Sequence, residues 1–342
     1  MTARGARAPG GRHGVISEVA RAAQVSVSTV SKVVHGHRDV GEATRSRVEA
    51  LLAEHGFVRP GAAAAGPPRQ IVTVFRDLAG PYTLEVARGI VNGAAEAGVH
   101  ATIGMTNRQP IARWLDDCEA LGALGMILVI SMLAERDQQR IVEQHIPVVL
   151  VDPLSEPVIE IPSVGVTNWR GGRGAVEHLL GLGHRRIGML AGRPHSVAGS
   201  ARLHGYRAAL EEAGIAPDPA LVKSTDFDFD EAVTAGAELL ALPEPPTALF
   251  AASDAQALGA LEAARRAGLS VPAGLSVVSF DDTAVAAMAS PPLTAVAQPF
   301  EDMGRVAVRT LVELAEGRAP ATPRLELATR LVVRESTAGP RR

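Results

Sequence analysis

Between Ile71 and Asp282 the chain carries seven short apolar runs, "IVTVF", "GMILVI", "PVVLVD", "SVGV", "RRIGMLAG", "TALFAAS" and "LSVVSFDD". Each is rich in Val, Ile, Leu or Phe. Continuous apolar runs of this length suit parallel strands buried on both faces. Between them lie helical stretches such as "LEVARGIVNGAAEAG" and "YRAALEEAG". Strand and helix in alternation predict repeated βαβ units and an α/β fold. About 270 residues exceed one doubly wound sheet, so more than one lobe is expected.

The first seventy residues have a different character. Residues 1–66 hold nine Lys/Arg against five acids, a net +4, whereas the whole chain is −3 and the remainder therefore −7. A small basic head on an acidic body points to a polyanionic partner at the head alone. The start, "MTARGARAPGGRHG", has no apolar core of a signal peptide. The longest apolar run is too short to span a bilayer. The one cysteine, Cys118, permits no disulfide framework within a chain, which fits a reducing cytoplasm. A cytoplasmic protein without a membrane partner is the expectation.

In the head, Ala23, Val27, Val30 and Val34 fall at i, i+4, i+7 and i+11, an apolar helical stripe. Ser26 is placed to cap a helix starting at Val27, and Gly36 to end it. Ile16, Val19, Ala20 and Ala23 mark a helix before it, and Thr44 leads a third with Val48, Leu51 and Leu52 inward. Two short amphipathic helices joined by a tight turn, with a third behind, predict a helix-turn-helix. With the valines inward, Ser28, Ser31, Lys32 and His35 face out, and no acid occurs between Ala23 and Arg38. Hydroxyls let a helix approach phosphates, and a lysine donates to phosphate or to guanine in the major groove.

The segment "ISEVARAAQVSVSTVSKVVHGHRDVGEATRSRVEALLAEHGF" resembles the DNA-binding head of the lactose/galactose repressor family. The resemblance continues through "GVTN..GG..A.EHLLGLGHRRIGMLAG", "R..GYRAALEEAGI", "ASDAQALGAL.A.R.AGL.VP..LSVVSFDD", "PPLTAV.QP" and "LATRLVVREST", covering residues 15 to 338. It implies a small all-α helix-turn-helix head on a two-lobe α/β core like a periplasmic binding protein. The divisions implied are a disordered basic tail at 1–14, the head at 15–59, a hinge at 60–70 and the core at 71–338. Within the core, one lobe takes about 71–167 and 299–328, the other about 168–298 and 329–338.

The same resemblance assigns roles. Val27, Ser28 and Lys32 occupy base-reading positions, Thr29 and Ser31 phosphate-holding ones, Ser26 opens the helix, and His35 stands where members often have asparagine. Gln24 replaces the usual glycine of the turn. In the hinge, Gly66 falls where members have a leucine that wedges into the minor groove, and Pro60 and Gly61 open the segment. In the core, Tyr82, Arg202 and Asp281 are the leading effector contacts, with Asp77, Phe227, Ser253 and Gln298 as further candidates at strand ends. The expected partners are a palindromic double-stranded operator, a small sugar effector and a second copy of the chain. The terminal "TAGPRR" carries no apolar heptads, so a dimer is expected and not a tetramer.

Other chemistries find little support. "NWRGGRG" at 168–174 has neither GxGxxG nor GKS/T and reads as a loop entering the helix "GAVEHLLGLG". His178 and His184 lack partners at metal spacing, and "TDFDFDE" lacks the glycine of a calcium loop. No GxSxG elbow occurs. Neither an enzyme nor a cofactor or metal is expected. The leading reading is a DNA-binding regulator released by a sugar. The alternatives are a sugar-binding protein without a DNA role, a purine-responsive regulator, and an α/β enzyme such as a sugar kinase.

Overall fold

The computed structural model describes residues 12–34, 40–55, 69–155 and 157–341. They divide into two compact units, one ending at Pro68 and one beginning at Arg69. The hinge at 60–70 and its Gly66 lie outside the described residues as far as Pro68, and so does His35.

The first unit contains α1 (Arg12–Ala22), α2 (Val27–Val34) and α3 (Glu42–Glu54). Their shared core is Val19, Ala20, Ala23, Val30, Val33, Val34, Val48 and Leu52. Helix α1 takes in Arg12, His13 and Gly14, which fall within the expected tail. Helix α3 starts at Glu42, two residues before the expected Thr44, because the Gly41 carbonyl accepts from Arg45 N at 2.9 Å. The turn after α1 is closed by Val25 N to Ala20 O at 3.0 Å and Gln24 N to Arg21 O at 3.3 Å. Those two bonds form a Schellman motif, which places Gln24 at its left-handed position, φ 56°. A side chain there costs about 1 kcal/mol relative to glycine. Gln24→Gly is expected to stabilise the head by roughly that amount, read as slower amide exchange in α1 and α2.

The second unit builds two sheets. The first holds β1 (Gln70–Phe75), β2 (His100–Met105), β3 (Met126–Val129), β4 (Val148–Val151), β5 (Ser163–Val166) and β11 (Arg324–Leu327), ordered β11-β5-β4-β3-β1-β2 and parallel throughout. The second holds β6 (Ile187–Ala191), β7 (Val222–Ser224), β8 (Ala248–Ala251), β9 (Ser276–Asp281), β10 (Thr294–Ala297) and β12 (Arg330–Val332), ordered β12-β10-β9-β8-β6-β7, with only β12 antiparallel. Helices α4 (Pro81–Glu96), α5 (Ile111–Ala120) and α6 (Glu135–Glu143) belong to the first lobe, joined by α12 (Phe300–Ala315). The second lobe has α7 (Asn168–Gly181), α8 (Val197–Glu212), α9 (Phe229–Leu240), α10 (Asp254–Arg266) and the short α11 (Ala284–Met288). The chain passes between lobes at Thr167, at 298–299 and at 328–329.

Both sheets share the order 2-1-3-4-5, in which ligands bind beyond the carboxyl ends of the strands. Close helix packing depends on glycine. A Cβ on Gly89 would lie 2.4 Å from Phe300 O where α4 meets α12, and one on Gly172 2.5 Å from Arg202 O where α7 meets α8. This corrects the reading of "NWRGGRG" as a loop. The stretch forms the first two turns of α7, and its buried Gly171 and Gly172 let that helix lie against Phe280 and the Arg202 backbone. His178 and His184 serve the fold, bonding Thr337 and Ala338 of the final segment at 3.0 and 2.8 Å. Burial lowers the pKa of both. The acids of "TDFDFDE" start α9, where Asp228 accepts from Glu231 N at 3.0 Å.

Candidate functional site

On α2, the Ser26 hydroxyl accepts from Thr29 N at 3.1 Å, so it caps the helix. It also lies 2.7 Å from the Ser28 hydroxyl and 2.8 Å from that of Thr29. Ser28 and Lys32 are exposed, Thr29 and Ser31 half-buried. Val27 does not join the core as the apolar stripe predicted: it is 51% exposed, and Val33 is buried in its place. The core of α2 is therefore 30-33-34, which frees Val27 to stand with Ser28 and Lys32 on the outer face.

In the core unit, side chains from both lobes converge where the strands end. From the first lobe, Tyr82 in the first turn of α4 donates to Asp152 Oδ2 at 2.5 Å. Its ring meets Phe300 edge-on at 5.4 Å. Asp152 follows β4 and takes a left-handed φ of 44°. Burial and then the Asp152 charge push the Tyr82 phenol well above its ordinary pKa. Burial raises the Asp152 carboxyl too, against the Tyr82 bond and the charge of Arg202, which lower it.

From the second lobe, Arg202 projects from α8 and is 4% exposed. Its Nε donates to Asn168 Oδ1 at 2.8 Å and its Nη1 to the Ala252 carbonyl. Nη1 stands 3.5 Å from Asp281 Oδ1, and the guanidinium lies 3.7 Å above the Phe280 ring. Asp281 ends β9 with φ 111° and accepts from Gln298 Nε2 at 2.6 Å. Burial lifts its carboxyl to about 8, opposed by Arg202 and reinforced by buried Asp254. Gln298 Oε1 is buried with no partner among the described residues. The charge of Arg202 acts to lower the pKa of both Tyr82 and Asp152, and the Tyr82 ring packs on Phe300, two residues beyond the Gln298 that bonds Asp281. Two contacts bring the lobes together here: Val197 N to Leu154 O at 3.2 Å, and Arg76 Nη1 to Asp226 Oδ2 at 3.8 Å.

The structure thus brings Tyr82, Arg202, Asp281 and Gln298 together. The other three candidates are engaged locally. Ser253 caps α10, accepting from Gln256 N at 3.2 Å and donating to Gln256 Oε1 at 3.1 Å. Asp77 folds back on its own turn, accepting from Ala79 N and Arg76 Nε at 3.1 Å each. Phe227 lies over Gly192, where a Cβ would come within 2.1 Å of its ring. Sequence reading missed Asp152. Its signal was present in "PVVLVD", a carboxylate at the end of an apolar run, as in "VVSFD".

The cleft can hold a polyhydroxylated molecule. It offers a flat ring, a guanidinium fork, two carboxyl groups and an amide oxygen that lacks a donor.

Residues 15–60 match the family of bacterial regulatory proteins of the lacI type, and residues 176–337 match a periplasmic binding protein-like domain. The chain is similar to the transcriptional repressor CytR of Escherichia coli (strain K12), 34% identical over 330 residues, covering 94% of this chain and 96% of that one. In fold it is similar to the regulator CelR in complex with cellobiose, with a TM-score of 0.72, 35% identity and 94% and 99% of the two chains covered. It is also similar to the Lac repressor dimer bound to operator and the anti-inducer ONPF, with a TM-score of 0.71, 29% identity and 94% and 98% coverage. A capped recognition-type helix, a two-lobe cleft and likeness over nearly the full length together show that the chain belongs to the lacI family of bacterial regulatory proteins.

Proposed function

We propose that this protein is a transcriptional repressor of carbohydrate-utilisation genes, released or modulated by a small sugar held between its lobes. The observation that carries the reading is the meeting of Tyr82 and Asp152 from one lobe with Arg202, Asp281 and Gln298 from the other. A ligand touching both sides favours one lobe arrangement, and only such differential contact shifts an equilibrium. The cellobiose and ONPF complexes of the relatives support a sugar-like effector. On this reading the chain divides into a head at 15–59, a hinge at 60–70 and a two-lobe core at 71–338, and acts in the cytoplasm. Two copies place α2 in successive major grooves of a palindromic operator. Val27, Ser28 and Lys32 then face bases, Thr29 and Ser31 face phosphates, and Ser26 sets the end of the helix. The effector is bound and released unchanged.

A gel shift with DNA from the protein's own promoter, run with and without cellobiose and other neutral sugars, tests this. Retarded DNA released by one sugar is the expected result. Failure to retard the DNA, or release by nucleosides alone, would refute it. Lys32→Ala should weaken operator binding by about 1–3 kcal/mol if Lys32 reads guanine, with relaxed specificity at one base pair per half-site. A uniform loss across sequences with a flatter salt dependence would place Lys32 on phosphate instead.

A further inference from the structure

Apart from the cleft, the second unit has a cavity of about 210 Å³ against the two outer lobe crossings. Its wall includes Thr167 and Thr329 of those crossings, Arg170 and Gly174 of α7, Val296 of β10 and Arg330 of β12. None of these is a cleft residue. The Phe280 ring separates the two places: Arg202 lies 3.7 Å over its face, and Gly171 is packed against its edge.

The lining carries two cations and no acid. Neither the Arg170 nor the Arg330 side chain has a hydrogen bond or ion pair among the described residues. The other α7 arginine, Arg173, is bound to Glu177 and Glu212, both at 2.8 Å. The two threonines add a donor. Their hydroxyls lie 3.1 Å apart, and Thr167 Oγ1 also accepts from Thr329 N at 3.1 Å. Whichever hydroxyl donates to the other, one hydroxyl hydrogen remains with no acceptor among the described residues. Gly174 leaves the space open, since a Cβ there would meet nothing within 4 Å. The cavity equals roughly seven water volumes, below the range of drug-sized pockets. That size suits a tetrahedral oxyanion with at most a small organic tail.

We propose that this cavity is a second ligand site, which binds a dianionic phosphate group, with Arg170 and Arg330 supplying the charge and the Thr167–Thr329 pair a hydroxyl donor. Guanidinium groups donate to phosphate in forked pairs, and such charge-assisted bonds are the strong ones. The same chemistry is offered by free phosphate and by a phosphorylated metabolite.

Calorimetric titration of the full-length protein without DNA, at low ionic strength, separates these sources. The probes are inorganic phosphate, glucose 6-phosphate and glucose, against wild type, the double variant Arg170→Ala/Arg330→Ala, and Arg202→Ala. The expected result is one phosphate-dependent site per chain, weakened about tenfold or more in the double variant and unchanged in Arg202→Ala. Tighter binding of glucose 6-phosphate than of phosphate would identify an ester as the ligand, and equal binding the free ion. Since both arginines are exposed, the double variant should unfold at the wild-type urea midpoint, which excludes misfolding as the cause of a loss. No phosphate binding in wild type, equal affinity in the double variant, or loss in an Arg202→Ala protein shown by its urea transition to be folded would each overturn the proposal. The last would place the anion in the cleft.

Discussion

Arg202→Ala is expected to lower effector affinity by about a hundredfold or more, while operator binding without effector stays close to wild type. The guanidinium is buried and spans Asn168, the Ala252 carbonyl, the Asp281 carboxyl group and the Phe280 face. Truncation to a methyl group removes the buried cation beside Asp281, and with it the fork that would hold ligand hydroxyls. The fold should also weaken, because the Asn168 and Ala252 oxygens lose the donor that Arg202 supplies, and a buried polar group left unsatisfied costs about 1–3 kcal/mol. Asp281, which keeps its proton below about pH 8, is not left there as an unpaired charge. Arg202→Lys keeps the charge but loses the planar fork, and should recover stability without recovering affinity. Calorimetry for the effector, gel shift for the operator and urea unfolding for stability separate these effects. Wild-type effector affinity in a folded Arg202→Ala protein would remove this residue from the site.

The second large effect is a dependence of stability on pH that comes from Asp281. Folded, its carboxyl keeps its proton up to about pH 8; unfolded, an aspartate releases it near pH 3.9. Between those values the folded state binds more protons than the unfolded one. This contribution to stability is therefore complete below about pH 4 and is lost as pH rises through about 8. Its size is of the order of a few kcal/mol. An asparagine at this position would have the same shape without the ionisation, and asparagine tolerates the left-handed backbone found there. Asp281→Asn should accordingly flatten the fall in stability between about pH 5 and 8 relative to wild type. Urea unfolding at several pH values measures it, and other titrating groups cancel in the difference. Parallel pH profiles for the two proteins would show that Asp281 is ionised throughout.

Much of the architecture was legible in the chain itself. Strands β1, β3, β4, β6, β8 and β9 are buried on both faces, so each is written as an apolar run. Strands β2, β7 and β11 lie at or next to sheet edges, and their half-exposed residues leave no such run. Strand β10 is fully buried, but its "TAVA" is too short and small to stand out. The cap at Ser26 was readable because its bond reaches only three residues along the chain.

What depended on residues far apart was not readable. Whether Val27 or Val33 enters the head core follows from where α1 and α3 press on α2. Whether "NWRGGRG" is loop or helix follows from the Phe280 ring and the α8 backbone that its glycines admit. Asp77, Ser253 and Asp281 all look alike in sequence, as polar residues at strand ends. Local partners engage the first two, and only Asp281 meets Arg202. Tyr82 and Asp152 are 70 positions apart. By itself the sequence determined the family, the strand-and-helix alternation and the capped helix of the head, because periodicity and short-range bonds are written in residue order. Tertiary structure alone decided which strand-end groups form the cleft, because sheet order and the approach of the two lobes set those distances.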